Sequence, residues 1–316
     1  MSYAGISYIN ISQERIYLFM STIAIHLHTN YSDGEKDTAG LIQTLVEAKV
    51  EGACLCNHDT SEGTEEFQAA TRDTGIESIS GIEVSTCLNE TFCIHVLAIG
   101  FDPKKITQIE KGLQRNCTAY NRYFEEVLVD VNKTFHIELT TEKIRQITNR
   151  KGRANFTLPL TNHLINTLNF PFPAVRQAIF GHHSPVWRLL SRGELMTLEE
   201  GMNFISEIGA TPIFAHPGFF SRYSMEGKAT IKQLQAAFEL MIDLGLKGAE
   251  YHYPYPEDDP KVTYFANEAK RLIEKYNLRR ISSSDYHGNY APKARGVSMP
   301  GMTFGEFLKL KHLCER

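Results

Sequence analysis

The sequence lacks the features that identify several broad classes of protein. No apolar run approaches the roughly 20 residues needed to cross a bilayer, and the first twenty residues have no basic start, long apolar stretch or small-residue cleavage site. We therefore expect neither a membrane span nor a signal peptide, and we interpret residues 1–20 as an N-terminal extension. Glycine-rich nucleotide loops, internal repeats and low-complexity tracts are also missing from the 316 residues.

Positive charge is not in excess either. The chain has 33 Lys and Arg residues against 37 Asp and Glu residues, and its net charge is −4. This balance excludes a broad basic face for extended duplex nucleic acid, but it leaves room for a small nucleotide or a short oligonucleotide in a pocket.

Cysteine is scarce, with six residues, and none of them forms a Cys-x-x-Cys pair. Cys54 and Cys56 lie two apart in an apolar segment, so their side chains share a face but cannot easily bridge. We expect buried free thiols in a reducing compartment, and therefore a cytoplasmic protein.

What the sequence does contain is an alternation of short apolar strands with helical patterns. The predicted strands are Thr22–Leu27, Gly52–Cys56, Ser78–Val84, Ile94–Phe101, Thr211–Ala215, Gly248–Tyr251 and Arg280–Ser283. Helices are predicted near 229–244 and 260–276, and Thr197 followed by Glu200 predicts a capping box at the start of another. Such an alternation predicts an α/β fold, with a closed or nearly closed barrel as the leading candidate.

The middle of the chain breaks this rhythm. Between about Pro103 and Ser191 the pattern is mainly helical, with many polar residues and no strand–helix alternation. We therefore predict an extension at 1–20, a first barrel part at 21–102, a helical insertion at 103–195 and a second barrel part at 196–316.

Side chains that can bind a metal follow almost every predicted strand. Six histidines and three acidic residues take these positions: His26, His28, Asp33, His58, Glu83, His95, His216, Asp285 and His287. The carboxyl ends of the strands in a parallel barrel surround one mouth, so we expect these groups to converge there.

Two spacings and one flanking pattern support this prediction. His26 and His28 lie two apart on a strand, and a period of two points both side chains the same way. Asp285 and His287 have the same spacing after a later strand. Glu83 stands between two β-branched apolar residues, where an uncompensated carboxylate is costly to bury and a metal bridge would compensate it.

The remaining candidates are weaker on their own. His58 is expected to be a ligand, and its neighbour Asp59 to orient a ligand or to stabilise the turn. His95 carries little information alone, and His216 precedes Pro217, so a structural role in the turn is an alternative interpretation. Nine groups exceed the needs of one ion, and mixed nitrogen and oxygen ligands suit Mn²⁺, Zn²⁺ or Fe²⁺, so we predict three such ions.

Taken in order, these motifs resemble those of the polymerase and histidinol phosphatase (PHP) family, and in particular its stand-alone metal-dependent phosphoesterases. The resemblance runs from about residue 22 to residue 290. It is carried by His26-Leu-His28-Thr-Asn-Tyr-Ser-Asp33-Gly, Asn57-His58-Asp59-Thr60, Gly81-Ile-Glu83, His95-Val-Leu-Ala-Ile-Gly-Phe, Ala215-His216-Pro217-Gly218, Gly248-Ala-Glu250-Tyr251 and Ser284-Asp285-Tyr-His287-Gly.

The resemblance implies a distorted (β/α)7 TIM-like barrel with a helical insertion and a trinuclear metal site. The family pattern implies three sets of ligands, with Glu83 shared by the first two: His26, His28, Glu83 and Asp285; Glu83, His95 and His216; and Asp33, His58 and His287.

One departure from the family falls in the insertion. Relatives often carry Gly-Arg-Pro-His where residues 152–155 of this chain read Gly-Arg-Ala-Asn. The arginine that is kept could clamp a phosphate, so Arg153 is a predicted catalytic and substrate-binding residue. His183 and Arg188 in the same insertion are further candidates for substrate contact, and His216 is a candidate acid for the leaving group.

These observations predict a metal-dependent phosphoesterase in which a metal-bridging hydroxide attacks the phosphorus of a small phosphorylated substrate. A nucleotide or a short oligonucleotide is the expected substrate, and a cyclic ribose phosphate comes next. Two other interpretations stay open at this point. One is an amidohydrolase, which also uses a barrel with a His-x-His strand; the other is a non-catalytic barrel that binds metal or a partner protein.

Overall fold

The apolar segments of the sequence form strands in the computed structural model, which describes residues 22–89, 92–180, 192–222, 228–290 and 296–314. The strands are β1 (Ile23–Leu27), β2 (Gly52–Leu55), β3 (Glu77–Ile79), β4 (Gly81–Asn89), β5 (Phe92–Ile99), β6 (Met196–Thr197), β7 (Thr211–Phe214), β8 (Gly248–His252) and β9 (Arg279–Ser282). The helices are α1 (Thr38–Glu47), α2 (Thr64–Thr74), α3 (Ile106–Phe135), α4 (Thr141–Ile147), α5 (Thr157–Asn162), α6 (Phe172–Phe180), α7 (Leu198–Glu207), α8 (Ile231–Asp243), α9 (Pro260–Lys275) and α10 (Phe304–Cys314). The predicted extension at 1–20 lies outside the described residues.

The strands form two sheets, one of parallel strands in the order β1-β2-β3 and one of mixed strands in the order β6-β4-β5-β7-β8-β9. In the larger sheet β5 runs antiparallel to both β4 and β7, whereas β7, β8 and β9 are parallel to one another. The fold is therefore mixed α/β, as the sequence predicts.

Two details of the sheets depart from the sequence prediction. The segment Ser78–Val84, predicted as one strand, is divided at Ser80 between β3 and β4, which belong to different sheets. The Ser80 hydroxyl donates a 2.6 Å hydrogen bond to the carbonyl of Phe101, which stabilises this break. β4 and β5 then pair antiparallel, because only the short connection between Asn89 and Phe92 joins them.

Backbone hydrogen bonds join the two sheets at two places. On one side the amide of Ser284, just after β9, donates to the carbonyl of Ile25 in β1 at 3.1 Å. On the other side the amide of Glu83 in β4 donates to the carbonyl of Asn57, just after β2, at 3.1 Å. The carboxyl ends of β1, β2 and β9 and the start of β4 are thereby held next to one another.

Helices cover the sheets and extend beyond them in the middle of the chain. Phe238 of α8 packs with Phe214 of β7 in the largest apolar cluster of the described residues. The described part of residues 103–195 holds α3 to α6 and no strand, and Phe124 of α3 packs there with Leu164 and Val175 in a second cluster. The division of the chain into barrel parts and an insertion stays a prediction.

Two local predictions, the capping box at the start of α7 and the buried free thiols, agree with the structure. The capping box at α7 is confirmed, because the Thr197 hydroxyl accepts from the Glu200 amide at 3.1 Å and the Glu200 carboxylate accepts from the Thr197 amide at 2.8 Å. The thiols of Cys54 and Cys56 are buried and free, with their sulfur atoms 3.5 Å apart. No helix among the described residues is long and apolar enough to span a membrane.

Candidate metal centre

The nine predicted metal ligands lie together where the two sheets meet. They come from β1, β4 and β5, from the turn after β1, and from the residues that follow β2, β7 and β9: His26, His28, Asp33, His58, Glu83, His95, His216, Asp285 and His287. All of them are buried or nearly so. Convergence at adjacent strand ends therefore brings together groups that are up to 261 positions apart in the chain, from His26 to His287.

Glu83 is the centre of this cluster, with five imidazoles around one carboxylate. The nitrogen–oxygen distances to Oε1 are 2.8 Å for His216 and 2.9 Å for His95. The distances to Oε2 are 2.9, 3.2 and 3.4 Å for His26, His58 and His28, respectively. Burial alone would raise the pKa of the Glu83 carboxyl group, but the histidines hold it well below its usual range. Glu83 is therefore a carboxylate with both oxygens available for sharing.

Two further carboxylates, those of Asp285 and Asp33, lie beside histidines of the same cluster. Oδ1 of Asp285 lies 3.3 Å from Nε2 of His28, and Oδ1 of Asp33 lies 3.2 Å from Nε2 of His287. Three groups of ligand atoms have all members within 4.8 Å of one another: His26, His28, Glu83 and Asp285; His28, Asp33, His58 and His287; and His58, Glu83 and His95. The first is identical to a set implied by the family pattern, and the second contains another.

The third group differs from the family pattern, because His58 takes the place that the pattern gives to His216. His216 nevertheless contacts the same Glu83 oxygen as His95 does. The chemistry of the whole donor set fits divalent transition metals, since it combines imidazole nitrogens with carboxylate oxygens and contains no thiolate. Nε2 of His28 is buried and has no hydrogen-bond partner. It faces the carboxylates of Glu83 and Asp285, which is a suitable environment for a nitrogen that binds metal.

The backbone at the site adopts conformations that non-glycine residues rarely take. φ is 67° at His26, 48° at Asp59, 31° at His216 and 49° at Asp285. At His26 the pairing of β1 with β2 shifts register, so β1 is not a regular strand there. Both imidazoles of the His-x-His motif do face Glu83, but by way of this irregularity and not through simple alternation along a strand.

A residue that the sequence argument did not select, Glu250, supports two of the candidate ligands. Its Oε1 lies 2.7 Å from Nδ1 of His26, and its Oε2 accepts a 2.5 Å hydrogen bond from the backbone amide of His216. Burial acts to lower the pKa of His26, but the charges of Glu83, Glu250 and Asp285 raise it well above its usual value. The signal for Glu250 was present in the sequence, because it is a carboxylate in an apolar strand, as Glu83 is.

Asp59 and Tyr253 hold other parts of the site in place. Oδ1 of Asp59 accepts hydrogen bonds from the Ser85 amide at 3.0 Å and from Nδ2 of Asn116 at 2.7 Å, which ties the turn after His58 to β4 and α3. Burial raises the pKa of Asp59 to about 6. The Tyr253 hydroxyl donates a 2.5 Å hydrogen bond to Oδ2 of Asp285. These contacts agree with the prediction that Asp59 supports the turn.

Of the three predicted substrate-binding residues, Arg153 is the one that the structure describes. The guanidinium of Arg153 pairs with the carboxylate of Glu110 and lies 2.9 Å from Oε1 of Gln114, and both partners belong to α3. His183 and Arg188 lie outside the described residues. A role for these three residues in substrate binding stays a prediction.

Comparisons with known proteins decide the family. The PHP domain family model matches residues 24–171. A 3′,5′-nucleoside bisphosphate phosphatase from Chromobacterium violaceum is 30% identical over 270 residues, which cover 85% of this chain and 88% of that protein. The chain belongs to the PHP family. A phosphoribosyl 1,2-cyclic phosphate 1,2-diphosphodiesterase from Eggerthella lenta is 23% identical to this PHP chain over 279 residues, 84% of this chain and 94% of that one.

The structural comparison agrees on the fold. A structure from Bifidobacterium adolescentis, described as a metal-dependent phosphoesterase, superposes with a TM-score of 0.71 at 17% identity and covers 93% of this chain and 96% of its own. Family membership and the relatives together make this PHP protein a phosphoesterase, and the His, Asp and Glu groups described above are suited to binding metal. A structure from Chromobacterium violaceum described as an amidohydrolase superposes with a TM-score of 0.73 at 18% identity and covers 93% of this chain and 97% of its own, so likeness in fold does not by itself separate a phosphoesterase from an amidohydrolase.

Proposed function

We propose that this PHP phosphoesterase releases phosphate from a small nucleotide, with three divalent ions of Mn, Zn or Fe held by the nine predicted ligands. The observation that carries the proposal is the Glu83 carboxylate, whose two oxygens are shared among five imidazoles in a buried site. The substrate class is supported by the nucleoside bisphosphate phosphatase of C. violaceum, which matches most of this chain.

Divalent ions in such a site lower the pKa of bound water and stabilise negative charge on phosphoryl oxygens. The chain's own contribution is to hold the ligands in place before substrate arrives. Glu83 bridges the first two ligand sets, and Glu250 fixes the ring of His26. His216 is the expected ligand or proton donor for the leaving group, and its Nε2 beside Glu83 can serve only one of these roles at a time.

A distorted (β/α)7 barrel is the arrangement of strands that we infer for this site. It is supported by the main-chain hydrogen bonds that link β1 to the segment after β9 and β4 to the segment after β2. In a barrel of this kind the groups that perform chemistry lie at the carboxyl ends of the strands.

The test is a panel of phosphate esters incubated with the Mn²⁺-loaded protein, with release of inorganic phosphate as the readout for monoesters and chromatography of the products as the readout for dinucleotides and cyclic phosphates. Nucleoside 3′,5′-bisphosphates are expected to be the best substrates, ahead of nucleoside monophosphates, dinucleotides and the cyclic ribose phosphate suggested by the E. lenta relative. Phosphate release from none of them by a metal-loaded protein would sink the proposal.

The site is tested in the same assay with Glu83→Gln, which keeps the size of the side chain and removes its charge. We expect activity to fall at least about 1000-fold, because metal-derived charge stabilisation is worth several kcal/mol. Glu47→Gln is the matched control, since Glu47 is exposed on α1. An active Glu83→Gln protein would place the chemistry elsewhere.

A further inference from the structure

Arg150 is a buried arginine with almost no partners. It is 9% exposed, and its Nη2 donates a 3.1 Å hydrogen bond to the carbonyl of Ala154. Nε and Nη1 are buried and have no hydrogen-bond acceptor, and no carboxylate among the described residues forms an ion pair with this side chain. A buried guanidinium normally has carboxylate or multiple carbonyl partners, because an uncompensated charge is costly to remove from water.

The position of Arg150 is next to the candidate metal centre. Its Cζ lies 5.4 Å from the ring centre of Phe156, and that ring is 5.5 Å from the ring of His58. The charge of Asp33 acts on Arg150: burial lowers the pKa of the arginine to about 10, and Asp33 opposes that effect. Arg150 is therefore within electrostatic range of one predicted ligand and stacks on a neighbour of another.

The loop that carries Arg150 is fixed against the turn that carries Asp33. The Lys151 amide donates to the carbonyl of Asn30 at 3.0 Å, and Nδ2 of Asn30 donates to the carbonyl of Asn149 at 2.5 Å. Gly152 allows this approach, because a Cβ atom there would collide with the backbone carbonyl of Tyr31. The guanidinium is thus held beside the site by contacts on both sides of it in the chain.

A fixed positive charge at this place works against metal binding unless an anion lies with it. Asp33, His58 and His287 form part of a predicted cation site, and a guanidinium nearby repels the cation that they would hold. A phosphate that contacts both the metal and the arginine removes this repulsion and supplies acceptors to Nε and Nη1.

Arg153 and Asn155 could also have supplied a contact to phosphate, but both have other partners. Arg153 is paired with Glu110. Asn155, at the position where relatives often have histidine, bonds through Nδ2 to Oδ1 of Asn121 at 2.6 Å and accepts from Nη1 of Arg145 at 3.0 Å. Arg150 has two buried donors without an acceptor, Nε and Nη1, whereas Arg153 has one, Nε, and is already paired with a carboxylate.

We propose that Arg150 binds a phosphate oxygen of the substrate and that it, more than Arg153, is the phosphate-binding arginine of this enzyme. The proposal rests on the proposed function for the presence of a phosphorylated substrate. The ligand class is a phosphate group, and inorganic phosphate is the probe.

The experiment is titration of inorganic phosphate into the Mn²⁺-loaded full chain by calorimetry, for wild type, Arg150→Gln and Arg153→Gln. We expect Arg150→Gln to weaken phosphate binding about 10- to 100-fold, the effect of losing hydrogen bonds from a charged donor, and Arg153→Gln to weaken it less. Arg271→Gln, at an exposed site on α9, is the control and should bind as wild type does. Unchanged phosphate affinity in Arg150→Gln, or a larger loss in Arg153→Gln, would overturn the proposal.

Folding and the reaction itself are separated from binding by two further readouts. Manganese content and the thermal unfolding midpoint are measured for each variant, and Arg150→Lys replaces Arg150→Gln if the latter does not fold. Lysine keeps the charge but lacks the paired donors of a guanidinium, so phosphate binding weaker than wild type supports the proposal, and wild-type affinity contradicts it. A protein that binds phosphate through Arg150 but hydrolyses no ester would refute the proposed reaction alone.

Discussion

Glu250 shows how a single buried residue can determine the geometry of the metal centre without belonging to the predicted ligands. Its two oxygens accept from the ring of His26 and from the backbone of His216, which stand at the ends of β1 and β7. Both of these histidines have positive φ values, so their backbone conformations need outside support. A carboxylate with two acceptor atoms at one position supplies that support.

Replacing Glu250 with Gln should therefore weaken metal binding without removing a ligand. The amide can accept from only one of the two donors and presents its own N–H groups to the other, so the ring of His26 loses its fixed orientation. We expect Mn²⁺ affinity to fall about 10- to 100-fold, as is typical when the group that orients a ligating histidine is lost. Titration with Mn²⁺ measures this affinity, and excess Mn²⁺ should restore much of the activity.

The comparison variant for Glu250 is Glu274→Gln, since Glu274 is exposed on α9 and its carboxylate pairs with Tyr251 and Arg280, away from the candidate metal ligands. It should bind metal as wild type does. Equal metal affinity in wild type and Glu250→Gln would mean that His26 keeps its position by packing alone.

At the scale of elements, placement of the candidate ligands at strand ends could be predicted from the sequence, but the irregularities of the strands could not. Apolar runs followed by histidine or acidic residues identified β1, β2, β7 and β9 and the groups after them. The irregularity at His26 and the division at Ser80 depend on hydrogen bonds to distant segments, such as that from Ser80 to Phe101. Local periodicity carries no information about such partners.

Gly152 offers a test of how the loop of Arg150 is held against the turn after β1. A Cβ atom there would collide with the carbonyl of Tyr31 in the turn that holds Asp33, so Gly152→Ala must push the loop of Arg150 away from that turn. We expect destabilisation of about 1 to 3 kcal/mol, the usual cost of overpacking, together with weaker phosphate binding. Denaturant unfolding and phosphate titration measure the two effects.

Gly305→Ala is the matched control for the loop variant, because no atom lies within 4 Å of an added Cβ at Gly305 on α10. It should be neutral or slightly stabilising, as alanine favours a helix over glycine. If Gly152→Ala is as stable as Gly305→Ala and binds phosphate normally, the loop is not fastened through Tyr31.

Over the whole molecule, the family and its chemistry could be predicted because nine chemically distinctive residues occur in a fixed order. The residues that complete the site could not be predicted so readily. Arg150 resembles any arginine of a polar helical region until the structure shows that it is buried beside Phe156 with two of its donor nitrogens, Nε and Nη1, lacking an acceptor. The role of Arg150 depends on which residues surround it in the folded protein, and the sequence alone does not show which residues those are.

Metal binding should raise the thermal stability of the whole molecule. The site joins β1, β2, β4, β7 and β9, and its buried carboxylates and imidazoles are satisfied mainly by one another. A metal that binds the folded state alone stabilises it by about 2.7 kcal/mol at one hundred times its Kd. With an unfolding entropy of about 2.1 cal/mol/K per residue, a chain of 316 residues should show a rise in Tm of about 4 °C. Removal of metal with a chelator should lower Tm by the same amount, as measured by calorimetry.

The identity of the added ion makes this prediction specific to the donor set. Mn²⁺ and Zn²⁺ accept imidazole nitrogen, whereas Ca²⁺ prefers oxygen ligands alone, so Ca²⁺ at the same concentration should raise Tm much less. Because all three ions carry the same charge, general screening of the site's carboxylates predicts equal shifts, and ligation by the six histidines predicts unequal ones. Equal shifts with Ca²⁺ and Mn²⁺ would show that the imidazoles around Glu83 do not bind the ion. A larger shift with Mn²⁺ that disappears in Glu83→Gln would identify that carboxylate as the group through which metal binding stabilises the joined sheets.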